Sequence, residues 1–398
     1  MEYSSPIFSS DIAVMSKPCN IYADHAATTP LLPEALKAML PYLRQDFGNP
    51  SSLYHRGQEA RQAVEEARAA IGRCIHAKAN EIFFTSGGTE SDNWALEGIA
   101  RALRHKGRHI AVSAIEHHAV LNCCKMLEND GCKVTYLPVS PTGRVEAETL
   151  EKVLRPDTIL VSIMLANNEI GTIQDIPSLA RIAHRKGVLF HTDAVQAIGH
   201  IRVDVRRLGV DLLSASAHKF NGPQGCGFLY VKSGTPLQPF HLGGQQERGL
   251  RAGTENVAGI VGMATALEHN VQNLLQRKRH LGGLERDLRE LLKNGLSKAV
   301  FNGDSRRHLP GHISVSFSGY DAEALLHLLD LKGICVSTGT ACNSKATEVS
   351  YVLQAIKLAP EVAKGTLRIT LGDDNSRQDV HTIAETILSI LPKVQGKQ

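Results

Sequence analysis

From about residue 33 to residue 231 the sequence alternates short, apolar, β-branched runs with segments of helical periodicity. QEARQAVEEARAAIGRCI (58–75) sets Val64, Ala67, Ile71 and Cys74 at steps of 3, 4 and 3, which is one face of a helix. ESDNWALEGIARALRHKG (90–107) reads as another helix, stopped by Gly107. EIFFT, HIAVSAIE, KVTYLPV, TILVSIMLAN, GVLFHTDA, VDLLSASA and GFLYV read as strands, most of them separated by helical stretches. Near-continuous apolar strands joined through helices imply a mainly parallel sheet covered on both faces. GFLYV follows the preceding strand too closely for a helical crossover, so that pair is expected to be antiparallel. From about residue 256 a long helical stretch runs to the low 290s. After it come HISVSFSG, a further helix, a Gly/Ser/Thr loop and GTLRITLG, the pattern of a smaller α+β domain. Arg277, Lys278 and Arg279 on the long helix are expected to form a solvated face.

A length of 398 residues suggests more than one compact core. The 44 Lys and Arg against 40 Asp and Glu leave a formal charge of +4, which gives no reason to expect nucleic acid. The N-terminal MEYSSPIFSSDIAVMSKP lacks a basic region and a continuous apolar region, so no secretion signal is expected. The longest apolar run, ILVSIMLA, is far short of the roughly 20 residues needed to span a bilayer. A cytoplasmic protein with reduced thiols is therefore expected. No CxxC pair occurs among the eight cysteines, so neither a zinc ribbon nor a thioredoxin-type motif is indicated, and no metal is expected.

Four segments carry residues suited to chemistry. In EIFFTSGGTES (81–91) a strand runs through Gly87 and Gly88 into a helix start, where free N–H groups and the helix dipole favour an anion. A plain β–α turn with Ser/Thr capping explains it equally well. In SASAHKFNGPQGCG (214–227) Lys219 stands at the mouth of the sheet, where a Schiff-base amine could sit; a surface lysine at a strand end is the commoner case. In GVLFHTDAVQAIG (187–199) Asp193 ends a strand, either as a helix N-cap or as the partner of a buried cation such as a protonated pyridine nitrogen. Taken in order, phosphate cup, acid and lysine describe a pyridoxal-phosphate site. The fourth segment, VSTGTACNSK (336–345), sets Cys342 in a small polar loop that cannot bury a thiol well. Cys74, Cys124 and Cys226 have apolar or turn contexts and read as packing. Arg368, in GTLRITLG, could clamp a carboxylate, although a structural salt bridge is the favoured reading from its sequence context.

The motifs IYADHAATTP (21–30), FGNPSS (47–52), FTSGGTES (84–91), EHHAVL (116–121) and ANNEIG (166–171) resemble those of the NifS/IscS-type cysteine desulfurases. FHTDAVQAIG (190–199), SAHKFNGPQGCG (216–227), RAGTEN (251–256) and STGTAC (337–342) extend the resemblance over nearly the whole chain. It implies a fold-type I pyridoxal-phosphate-dependent transferase with a mostly parallel seven-stranded sheet in a large domain. That domain would span 31–270, and a small α+β domain (271–398) would carry a mobile cysteine loop. The N-terminal segment, 1–30, would pack with the small domain.

By the same resemblance Lys219 would hold pyridoxal 5'-phosphate covalently, Asp193 would pair with its ring nitrogen and Gln196 would reach its ring hydroxyl. His117 would stack on the ring and assist proton transfer. Gly88, Thr89, Ser216 and His218 would bind the phosphate, with Thr254 donated by the neighbouring subunit of a homodimer. Asn168 would contact substrate and cofactor, Arg368 would hold the carboxylate of L-cysteine, and Cys342 would be the nucleophile. The implied products are L-alanine and a Cys342 persulfide destined for an iron–sulfur scaffold, a tRNA-thiolation system or a DNA-phosphorothioation system. A selenocysteine lyase, or another class V lyase or aminotransferase, is the alternative.

Overall fold

The computed structural model describes residues 21–296, 298–338 and 349–394. Seven strands form one sheet in the order Ile82–Thr85, Gly227–Val231, Leu212–Ser216, Leu189–Asp193, Thr158–Ser162, His109–Ser113, Lys133–Leu137. Gly227–Val231 is antiparallel to both of its neighbours and every other pair is parallel. The expected antiparallel pair is therefore present. Since one strand alone is reversed, the six others share a direction and end at the same edge of the sheet. Ligands of open α/β sheets bind outside the carboxyl ends of such strands, and that edge is where Asp193, Ser216 and the turn after Thr85 lie.

Four of the five inner strands are buried along their whole length and Leu189–Asp193 at all but Leu189, whereas Lys133–Leu137 at one edge is partly exposed. This explains why continuous apolar runs replace strict alternation in most of the strands. One face packs a core of Phe190, Phe228, Ile71 and Met263. The other packs around Trp94, Ile99 and Leu229. Trp94 is fully buried, and its indole N–H donates to Gln238 O at 2.9 Å, so its one polar atom is satisfied.

A second core gathers Ile313, Phe317, Leu325, Ile369 and Ile387, together with Ile21 and Ala23 from the beginning of the described chain. Its antiparallel sheet runs Ser337–Thr338, Thr366–Thr370, His312–Phe317, Ala299–Phe301. Ile21–Tyr22 pairs in parallel with Ile334–Cys335, which brings Asp24 beside Thr370.

The basic cluster on the long helix departs from expectation. Lys278 and Arg279 are exposed, but Arg277 is buried. Arg277 Nε meets Asp373 at 2.7 Å, and Nη1 donates to Gly199 O at 2.6 Å. Asp373 lies in a distant turn, so the periodicity of the helix carried no sign of this partner.

Candidate active site

Turn chemistry at the strand ends builds the site. Lys219 closes the 3-10 turn Ala217–Lys219 directly after the Leu212–Ser216 strand. Its Nζ donates to Ala26 O and Ala27 O, each at 2.7 Å. Gln196 Nε2 donates to the same Ala26 carbonyl at 2.9 Å. Asp193 ends its strand and accepts from Val195 N at 2.8 Å, so it plays the local capping part as well as lining the cavity. Burial pushes its carboxyl up to about 6, against the Val195 N–H and the charge of Lys219.

His117 caps the His118–Asn129 helix, its Nδ1 accepting from Ala119 N at 3.1 Å. An Nδ1 that accepts leaves the ring proton on Nε2. Burial, then Lys219 and His118, depress this imidazole to about 4, so it is neutral at pH 7. His218 is lowered to about 4 by burial and then Lys219, and its Nδ1 lies 3.1 Å from Thr28 Oγ1.

The Gly88–Ala102 helix begins on Gly87, φ 154°, with no side-chain cap. A Cβ at Gly88 would come within 2.6 Å of Val195 Cγ2, so close approach to the Asp193 turn requires glycine there. Uncapped amides at the start of a helix suit an anion.

Arg368 lies at the centre of the Thr366–Thr370 strand, where it pairs in register with Ser337. Its Nη2 meets Asp24 Oδ1 at 2.8 Å and its Nη1 donates to Asn168 O at 3.1 Å. The structural ion pair favoured by its sequence context is therefore real. Arg368 Nε, however, is buried without a hydrogen-bond partner, and so is Asn168 Oδ1.

These side chains meet around one cavity of about 470 Å³. Gly88, Thr89, His117, Asn168, Asp193, Gln196, Ser216, His218, Lys219 and Arg368 all line it. Thr254 is exposed and does not. Cys342 lies outside the described residues, although Ser337, five positions before it, lines the cavity. On the other side of that segment, Ser350 Oγ donates to Glu169, and Tyr351 OH donates to Glu116 O at 2.6 Å. Burial raises Glu169 to about 7.

Sequence reasoning assigned no part to Asp24, Asp92 or the Ala26 and Ala27 carbonyls, which also line the cavity. Asp92 had a legible signal, since it follows Gly88 by four residues and so shares its helix face. Cys74, Cys123, Cys124 and Cys226 behave as packing thiols. Burial pushes Cys74 and Cys123 up to about 12 and Cys226 to about 11, and Cys124 is raised likewise.

The donor set fits pyridoxal phosphate: an amine for its aldehyde, a buried acid for its ring nitrogen and an uncapped helix start for its phosphate. Residues 21–383 match the aminotransferase class-V family, and the chain belongs to it. That class and the cysteine desulfurases within it are pyridoxal-phosphate enzymes. Cysteine desulfurase IscS of Dictyoglomus turgidum is 50% identical over 377 residues, covering 94% of this chain and 95% of the relative. The chain is thus a member of the NifS/IscS-type cysteine desulfurases. Among solved structures, a NifS-like protein superimposes with a TM-score of 0.89 at 40% identity, covering 94% of this chain and 100% of that one. SspA in complex with cysteine gives 0.78 at 34% identity, covering 88% and 98%. The fold is fold-type I, as the motifs implied. Among the described residues no helix is long and apolar enough to cross a membrane.

Proposed function

We propose that this chain removes sulfur from L-cysteine with pyridoxal phosphate, yielding L-alanine and a persulfide on Cys342. The convergence of Lys219, Asp193 and an Arg368 with a spare buried donor on one cavity carries this reading. Lys219 Nζ would hold the cofactor covalently, Asp193 its ring nitrogen, Gln196 its hydroxyl, and Gly88, Thr89, Ser216 and His218 its phosphate. Bound there, the cofactor supplies an electron sink for the charge left by the departing α-proton.

Arg368 holds the substrate carboxylate through donors that Asp24 and Asn168 leave over, and Asn168 Oδ1 accepts from the substrate. His117 would stack on the cofactor ring and assist proton transfer. The Cys342 thiolate attacks the substrate sulfur. The S–S bond forms as the C–S bond breaks, and its electron pair stays on the β-carbon, which takes a proton to become the methyl group of alanine. Cys342 is four residues from Thr338, a reach of up to ~14 Å along extended chain.

The active unit is proposed to be a homodimer whose partner lends Thr254. Leu36, Leu40 and Leu43 project at steps of four and three from the Pro33–Arg44 helix, 46%, 43% and 58% exposed, with Phe47 nearby in sequence at 67%. An apolar stripe of this kind marks an interaction face. The sulfur acceptor is a protein of an iron–sulfur, tRNA-thiolation or DNA-phosphorothioation system, and the site of action is the cytoplasm.

Mass spectrometry after one turnover with L-cysteine tests the reading. A persulfide on Cys342, absent in Cys342→Ala together with alanine release, is the expected result. Alanine release at the wild-type rate from Cys342→Ala would overturn it, and the same comparison on selenocysteine separates this enzyme from a selenocysteine lyase.

A further inference from the structure

The cavity is lined by a second buried carboxyl that the reaction above does not use. Asp92, on the Gly88–Ala102 helix, is 1% exposed and lines the same cavity as Asp193. Its Oδ1 has no hydrogen-bond partner. The Ser214 hydroxyl stands beside its carboxyl. From Ser214 a ladder crosses three adjacent strands. Ser214 Oγ lies 3.0 Å from His191 Nε2, and His191 Nδ1 lies 2.8 Å from Ser162 Oγ. His191, Ser214 and Ser162 are fully buried. His191 and Asp193 are two residues apart on one strand and so point to the same face of the sheet.

Two carboxyl groups buried on one cavity oppose each other's ionisation. Their surroundings differ. Asp193 accepts a backbone N–H and faces the Lys219 ammonium. Asp92 faces Asp193, Glu116, Ser214 and His191, none of which offers a positive charge. His191 Nε2 is 3.7 Å from Asp92 Oδ1, but burial lowers that imidazole to about 3, so it stays neutral. An anion at Asp92 would leave one oxygen charged, dry and unpaired. A protonated Asp92 instead carries no charge, and its bare oxygen is only a neutral carbonyl.

We propose that Asp92 is a positioning residue that keeps its proton, so that the single negative charge of the pair sits on Asp193. This rests on the reading of Asp193 as the partner of the cofactor ring nitrogen. A full second charge would compete for the ring proton, whereas a neutral Asp92 leaves Asp193 as the one anion at the floor of the cavity.

Infrared difference spectra of the full chain, stripped of and loaded with pyridoxal phosphate, test this. At pH 7 the wild type is expected to show a carboxylic-acid C=O band that Asp92→Asn lacks, in both states. Asp92→Asn should bind pyridoxal phosphate within about threefold of the wild type, and Asp193→Asn should bind it at least about tenfold more weakly. Should Asp92→Asn fold poorly, Asp92→Ser supplies the same difference spectrum. No band lost on substitution, with a carboxylate band lost in its place, would show Asp92 ionised and overturn the proposal. If Asp193→Asn bound the cofactor as tightly as the wild type, the ring-nitrogen reading would fall, while the infrared band would still report the proton on Asp92.

Discussion

Arg368 Nη2 and Asp24 Oδ1 lie 2.8 Å apart although 344 residues separate them in sequence. The pair fixes one edge of the guanidinium and leaves Nε, buried and unpartnered, for a ligand. A lysine cannot reproduce a planar fork with donors on two edges. Arg368→Lys is therefore expected to raise KM for L-cysteine by roughly 10–100-fold, with a smaller change in kcat. Steady-state kinetics check this, and an unchanged KM would remove Arg368 from carboxylate binding.

Lys219→Ala should leave the cofactor dialysable and lower alanine release by at least about 10²-fold. Absorbance after dialysis is the direct measurement. Retention of the cofactor through dialysis would assign the covalent anchor to another amine.

At Gly88 an added methyl must push on Val195 Cγ2, 2.6 Å away. Gly88→Ala should weaken pyridoxal phosphate binding by about tenfold, a cost of 1–2 kcal/mol that suits an overpacked contact. The double variant Gly88→Ala/Val195→Ala should recover most of it. Equal weakening in both would place the clash elsewhere.

His117 gives a pH effect with a definite sign. Its imidazole is depressed from 6.5 to about 4, so between these values the unfolded chain binds a proton that the folded chain does not. Stability from this group is complete above 6.5 and is lost as pH falls towards 4, by an amount on the order of 3 kcal/mol. Cofactor-free His117→Asn should accordingly lose less stability than the wild type on acidification from 6.5 to 4, measured by urea unfolding. Parallel curves for the two proteins would contradict the buried, neutral imidazole.

Arg68 and Glu247 form a bidentate pair, both bonds 2.8 Å, with side chains 4% and 2% exposed. Glu247 also accepts from Phe84 N at 3.0 Å, which braces the strand leading to Gly87. Arg68→Met leaves that buried carboxylate without its guanidinium partner, and should cost about 3–5 kcal/mol. Arg68→Met/Glu247→Gln should restore part of the loss. A single-variant cost below about 1 kcal/mol would mean that solvent reaches Glu247.

Much of this is legible in the sequence. All seven strands of the large sheet coincide with apolar runs in the sequence, because strands covered on both faces carry nearly continuous apolar residues. Lys219, Asp193 and Gly88 were legible because each sits in local turn chemistry at the end of such a run. Arg277 was misread, since its helix spacing matches that of a solvated residue and its partner Asp373 is 96 positions away.

What the sequence alone determined is the set of elements and the chemistry at their ends, since propensity, periodicity and turn geometry act over a few residues. The strand order, with Gly227–Val231 reversed between Ile82–Thr85 and Leu212–Ser216, was decided only in the folded chain. So were the Asp24–Arg368 pair and the ladder from Ser214 through His191 to Ser162. Hydrogen bonding and desolvation depend on which side chains share a dry volume. Chain distance does not encode that, and packing does.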